Sequence, residues 1–268
     1  MRIAIHATEE VGTRAGRIML AERDLKAMGL FEYEGRKFDD RRIVPATELA
    51  HFDVVVSDDL HRPERLAEIA AEASISCVLR ADFVPLDDLE ARFSGPGTTL
   101  LVGANLAQGI AATLAAHELA RTNEVLDLTL GWTVEGRPRR RGEAIPFPDP
   151  VGARWAQEVE VDDSDGRDSV PVHRFVAPIE GEWAGAMARV TGVDGDGVAQ
   201  RVVGVADHVN HLEAIALAAG ALAVAANGYE PGVRRPEEAP ERYLEAALGI
   251  GMAVATYTVE ESKLSAEG

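Results

Sequence analysis

The residues that carry the most chemistry stand at the start of the chain. The apolar run Ile3-Ala4-Ile5 leads through His6, Ala7, Thr8, Glu9, Glu10, Val11 and Gly12 into a long amphipathic stretch. A strand, a tight turn and a helix in that order open a dinucleotide-binding βαβ unit, whose turn glycines let the backbone approach a pyrophosphate. Here only Gly12 stands where that pattern wants a glycine, and the other places hold Ala7 or Thr8 and two glutamates. A helix N-terminus offers free N–H donors and about half a positive charge to an anion. A carboxylate about 4 Å from a diphosphate would repel it by roughly 1–4 kcal/mol, depending on the local dielectric. Two readings follow: Glu9 and Glu10 point to solvent and the turn stays open, or they cap the helix and close it. Arg14 and Arg17, one turn on, offset this acid or form surface pairs.

Further candidates lie at the ends of the other strand-like runs. Glu34 closes a short strand expected over Leu30–Glu34, where an acid would accept adenosine ribose hydroxyls; Arg36 and Lys37 beside it suit a 2′-phosphate instead. Ser57, Asp58, Arg80, Asp82, Gly103 and Asn105 follow strand ends. In an open parallel sheet the ligand crevice lies beyond the carboxyl ends of the strands, so these residues should face one cleft. His6 ends the first strand beside it and either faces a ligand or fills the nucleotide's place. With Ala7, Thr8, Val11 and Gly12 they form the expected cofactor site. Asp207, His208 and His211 form the candidate catalytic group. Asp207 reads as a helix N-cap, and the two histidines, three apart at the helix start, share a face. Proton transfer is one role for them and capping or packing the other; a metal site would need a third ligand, and none has the spacing. The run Arg137–Arg141 is a basic island suited to gripping a carboxylate or phosphate, or to pairing with the chain's own acids.

The elements that position these groups follow from periodicity. Strands are expected at Ile3–Ile5, Leu30–Glu34, Arg42–Val44, Asp53–Ser57, Ser76–Arg80 and Thr98–Gly103. Helices are expected at Gly12–Met28, Arg62–Ala73, Leu86–Phe93 and Leu106–Arg121. Such alternation means α/β: a Rossmann-like parallel sheet with helices on both faces, here over residues 1–122. Residues 123–268 read as a second, α+β domain. Alternating stretches at Val125–Trp132, Val170–Val176, Trp183–Val190 and Gln200–Ala206 suggest an antiparallel sheet. The loops 162–168 and 193–198 are acidic turns without the spacing of an EF-hand. A long alanine-rich helix over His208–Ala226, ended by Asn227-Gly228, covers one side of that sheet, and another helix runs from Pro240 or Glu241 to Leu248.

Composition narrows the function. The 268 residues carry a net charge of −18, which argues against nucleic acid and anionic membrane as partners. The single cysteine, Cys77, lies in an apolar run and reads as a buried inert thiol. No stretch reads as a signal peptide or a membrane span, so a cytoplasmic location is expected. No nucleophile triad or P-loop is visible.

Three longer stretches carry a family resemblance. Residues 103–120 (GANLAQGIAATLAAHELA) are similar to the strand-to-helix step after the last Rossmann strand of saccharopine dehydrogenase-like reductases. Residues 131–154 (GWTVEGRPRRRGEAIPFPDPVGAR) look like the start of that family's second domain. Residues 227–251 (NGYEPGVRRPEEAPERYLEAALGIG) resemble a closing segment of this group and of dihydrodipicolinate reductase relatives. The resemblance implies an NAD(P)-binding domain, a substrate domain, and hydride transfer at a carbon bearing an amine or imine in a small amino-acid-like substrate. The acidic first turn departs from the family's glycine-rich loop, so a Rossmann protein without dinucleotide binding, serving as a partner or binding another small ligand, is the alternative. The family also implies a dimer contact in the second domain. A homodimer is therefore expected, with Rossmann domains outermost and clefts opening away from the axis.

Overall fold

A computed structural model describes residues 1–135, 154–160, 171–176, 183–194 and 197–260. The chain forms two compact units, one of residues 1–113 and 210–252, the other of 114–209 and 253–268. The expected division at 122/123 is corrected by this return of the chain: the C-terminal helices join the first unit.

The first unit holds a seven-stranded parallel sheet. Its strands are β1 (Arg2–His6), β2 (Ala27–Leu30), β3 (Ile43–Pro45), β4 (Val54–Ser57), β5 (Ser76–Leu79), β6 (Thr99–Leu101) and β12 (Gly232–Arg234), in the spatial order β12-β6-β5-β4-β1-β2-β3. This is the doubly wound Rossmann order extended by one strand, with its switch point between β1 and β4. The buried runs Ile3-Ala4-Ile5 and Val54-Val55-Val56 make the central strands, as near-continuous apolar runs do in sheets covered on both faces. The register pairs Ile3 with Val54 and His6 with Ser57.

Helix α1 (Glu10–Leu20) is shorter than the stretch to Met28 suggested. The Arg42 guanidinium takes the carbonyls of Leu20 and Glu22 and ends it. Ala27–Leu30 then forms β2, so the strand expected at Leu30–Glu34 lies earlier. Gly29 is required there: a Cβ would stand 2.3 Å from the Phe52 ring. Helices α2 (Pro63–Glu72) and α3 (Leu89–Ser94) follow close to expectation. The helix expected over Leu106–Arg121 opens instead with a π-helical segment, Leu106–Ala112, and continues as α4 (Thr113–Ala120). Within the π segment Gly109 faces the Tyr243 hydroxyl, which a Cβ would meet at 2.4 Å. That hydroxyl donates to the Ala216 carbonyl at 2.7 Å.

Helix α5 (Val209–Ala225) is buried almost throughout from Leu212 to Val224. It was expected to cover the antiparallel sheet but belongs to the first unit and packs on the parallel sheet, where a Cβ on Gly220 would touch Leu101 and Val78. It ends in a Schellman turn, with Asn227 left-handed at φ 55° and Gly228 N–H donating to Ala223 O at 2.8 Å. Helix α6 (Pro240–Gly249) closes the unit.

Among the described residues the second unit holds six strands: β7 (Glu124–Glu135), β8 (Arg154–Glu160), β9 (Pro171–Val176), β10 (Trp183–Asp194), β11 (Gly197–His208) and β13 (Ala255–Glu260). The sheet is mixed, not purely antiparallel, because β7 and β9 run parallel. Leu128, Leu130, Ala186, Ala188 and Val190 lie buried on β7 and β10. Buried Glu118 of α4 forms an ion pair with Arg201, Oε2 to Nε at 3.1 Å, which ties that helix to β11. The basic run 137–141 and the acidic loop 162–168 lie outside the described residues, as do the side chains of His173, Phe175 and Trp183.

Candidate functional site

The carboxyl ends of β1, β4, β5 and β6 bring the named strand-end residues to one edge of the first unit, as expected for an open sheet. At the switch point the first turn holds an anion that belongs to the chain. Asp58, at the end of β4, is fully buried. Its carboxylate accepts the backbone N–H of Thr8 at 2.8 Å, of Glu9 at 3.1 Å and of Gly12 at 2.7 Å, with the Thr8 hydroxyl at 3.3 Å. These are the donors that a helix N-terminus presents to a phosphate. Gly12 is needed for the approach, since a Cβ would stand 2.6 Å from that of Ala7 and 2.7 Å from Asp58 Oδ2.

Neither of the two readings of the acidic turn describes it. Glu9 is the N-cap residue but makes no side-chain cap bond. Its carboxylate pairs with Arg80 Nη1 at 3.1 Å, and Glu10 pairs with Arg14 at 3.4 Å. The turn is closed by a residue from the neighbouring strand. His6 turns inward: it is buried, its Nδ1 lies 2.8 Å from Ser57 Oγ, and its ring stands 6.4 Å from that of Phe31. Ser57 is thereby committed to His6 and to the backbone of Asp59. Ala7 and Val11 are buried beside the turn.

Beside the first turn is a cavity of about 290 Å³ in which Glu9, Glu10 and Glu34 face Arg14, Arg17 and Arg36. Glu34 lies four residues beyond the end of β2, yet it stays beside β1, because its N–H donates to Ala7 O at 3.0 Å. It does not end a strand, which the expectation for it required. The cavity's equal numbers of acids and arginines leave it without a dominant charge, in a chain that is otherwise strongly acidic.

On the other side of the turn, Arg80 joins three elements. Its Nε donates to Glu213 Oε2 of α5 at 3.1 Å while Nη1 holds Glu9. Burial pushes the Glu213 carboxyl above the usual carboxylate range, against the pull of Arg80 and of the Leu106 N–H. Asn105 caps the π segment by accepting the N–H groups of Ala107 and Gln108, both at 2.9 Å. It donates to Arg80 O at 2.9 Å and to Asp82 Oδ1 at 2.6 Å. Gly103, left-handed at φ 79°, brings its N–H to Ala81 O at 2.7 Å and places this turn. Sequence reasoning noted Glu213 only as an acid close to His208 and His211 and missed its pairing with Arg80; its signal was a single acid inside an otherwise apolar helix.

The candidate catalytic group does not form as expected. Asp207 and His208 are the last residues of β11, and α5 begins at Val209. Asp207 Oδ1 accepts the N–H of His208 at 2.6 Å, the geometry of a strand end and not of a helix cap. His208 and His211 therefore share no helix face.

No protein-family model matches the chain, and no curated protein matches its sequence. Solved structures do match its fold. Homospermidine synthase from Legionella pneumophila, in complex with NAD, is 10% identical, with 100% of this chain and 93% of that chain covered at a TM-score of 0.58. DAP dehydrogenase of C. glutamicum, in complex with DAP, is 14% identical over 93% of this chain and 98% of that one, at 0.54. An engineered D-amino acid dehydrogenase bound to NADP+ is 13% identical over 91% and 95%, at 0.53. Identities this low establish the fold alone. By that measure, and by its strand order, the chain has the two-domain Rossmann architecture seen in these proteins.

Proposed function

We propose that the protein is an NAD(P)-dependent oxidoreductase that transfers hydride to or from a small amino-acid or imine-type substrate. The observation that carries this reading is the crevice at the β1/β4 switch point, with the Glu34–Arg36 cavity on one side of the first turn and the Arg80–Glu213–Asn105 cluster on the other. Glu34 suits the adenosine ribose and Arg36 a 2′-phosphate, while Gly103, Asn105 and Arg80 border the place where the reacting ring would lie. Asp207, His208 and His211 remain candidates for the proton transfer that accompanies hydride transfer. The known binding of NAD or NADP+ by proteins of the same fold agrees with this reading. Calorimetric titration with NADH and with NADPH tests it. Saturable binding is expected, and no heat of binding at millimolar cofactor would refute it.

Asp58 favours a second reading, in which the fold has lost dinucleotide binding and serves as a partner or takes another small ligand. Nucleotide recovered by mass spectrometry from the purified protein would rule this out. In either case we propose a homodimer through the second unit, which light scattering at micromolar concentration tests by the absence or presence of a monomer mass.

A further inference from the structure

We propose that the Asp58 carboxylate is an intramolecular competitor of the dinucleotide's diphosphate, so that cofactor binds only by displacing it from the first turn. This rests on the reading that the crevice takes a dinucleotide. A phosphate at a helix N-terminus is held by backbone N–H groups, and those of Thr8, Glu9 and Gly12 already converge on Asp58 at 2.7–3.1 Å. The carboxylate is fully buried, so a phosphate cannot share these donors with it. The site is shaped for this occupant: Gly12 leaves room for Asp58 Oδ2 and for nothing larger than hydrogen at its own Cα. Arg80, across from the turn, is divided between Glu9 and Glu213. Displacement therefore exchanges three charge-assisted hydrogen bonds for three others and adds a buried like charge unless Asp58 swings out.

The test compares NADH and NADPH affinity in the full chain, in Asp58→Asn and in Asp58→Ser, with circular dichroism and melting used to establish that each is folded. Asp58→Asn keeps the shape and an acceptor oxygen while removing the charge, so it carries the test if the serine variant does not fold. Glu245→Gln, whose exposed carboxylate pairs with Arg242 on α6, serves as the control for general loss of negative charge. Affinity is expected to rise at least about tenfold in the Asp58 variants and less than about twofold in the control. If the parent chain binds cofactor and the folded Asp58 variants bind it equally or more weakly, the inference is overturned and the dinucleotide reading stands. If neither the parent nor either variant binds at millimolar cofactor, the dinucleotide reading fails and the inference falls with it.

Discussion

Replacing Arg80 by methionine removes a charge while keeping most of the side-chain volume, and the structure sets limits on what this costs. The Arg80–Glu213 pair is 3.1 Å long, with side chains only 16% and 12% exposed. Stranding a buried carboxylate costs on the order of 3–5 kcal/mol if it stays ionised. Glu213 has another way out, since it can bind a proton. From an ordinary value of 4.5, that costs 1.36 kcal/mol per pH unit, about 3.4 kcal/mol at pH 7 and about 0.7 at pH 5. The cheaper route governs, so the expected loss is about 3 kcal/mol at pH 7 and under about 1 at pH 5. The sign follows from linkage. Glu213 is raised in the folded state, so the folded chain keeps its proton where the unfolded chain has released it. Its contribution therefore declines as pH rises from 4.5 to the folded value, then levels off. Removing Arg80 raises the folded value further and extends that decline upward. Urea unfolding at pH 5 and pH 8 measures the difference, and Arg80→Met/Glu213→Gln should recover at least half of the loss at pH 8. A loss that is equal at the two pH values, or single-variant losses that simply add, would refute the reasoning.

Gly12→Ala should destabilise the first unit by about 1–3 kcal/mol, because the new methyl meets the rigid Ala7 and the buried Asp58; a change below about 0.5 kcal/mol in chemical denaturation would contradict this. Asn105→Ala should cost about 1–2 kcal/mol through the lost cap on the π segment, and Asn105→Asp should retain part of the cap while placing a like charge beside Asp82. Cys77 is buried, and its thiol is pushed far up by desolvation, so a disulfide exchange reagent should label it no faster than the chain unfolds. Fast native labelling would place Cys77 nearer the surface than the fold allows.

Much of the parallel sheet was legible in the sequence because its signals are local. Apolar runs such as Val54-Val55-Val56 identify themselves as central strands, and an open parallel sheet sends its strand ends to one edge. That reasoning alone brings Asp58, Arg80, Gly103 and Asn105 to one edge. It also located the helix stop at Asn227-Gly228, where a left-handed residue and a glycine are needed. Boundaries that depend on a distant partner were not legible. Helix α1 ends early because Arg42 caps it from 20 or more residues away, and β2 begins at Ala27 because Gly29 fits under Phe52. The assignment of α5 to the parallel sheet was equally hidden, since a helix apolar on all sides does not announce which surface it covers.

The deepest division lies in the candidate site itself. From the sequence alone come its residue types: an acidic first turn, one glycine at its end, and acids and arginines at strand ends. Only the tertiary structure decides which acid meets which donor. Asp58 reaches Gly12 across 46 residues, and Glu213 reaches Arg80 across 133. A carboxylate gains its strongest partners wherever folding happens to concentrate N–H groups or a guanidinium, and that concentration exists only once the strands have paired. The sequence thus determined that negative charge would stand at the switch point; the fold determined that Asp58, and neither glutamate of the turn, would occupy the helix N-terminus.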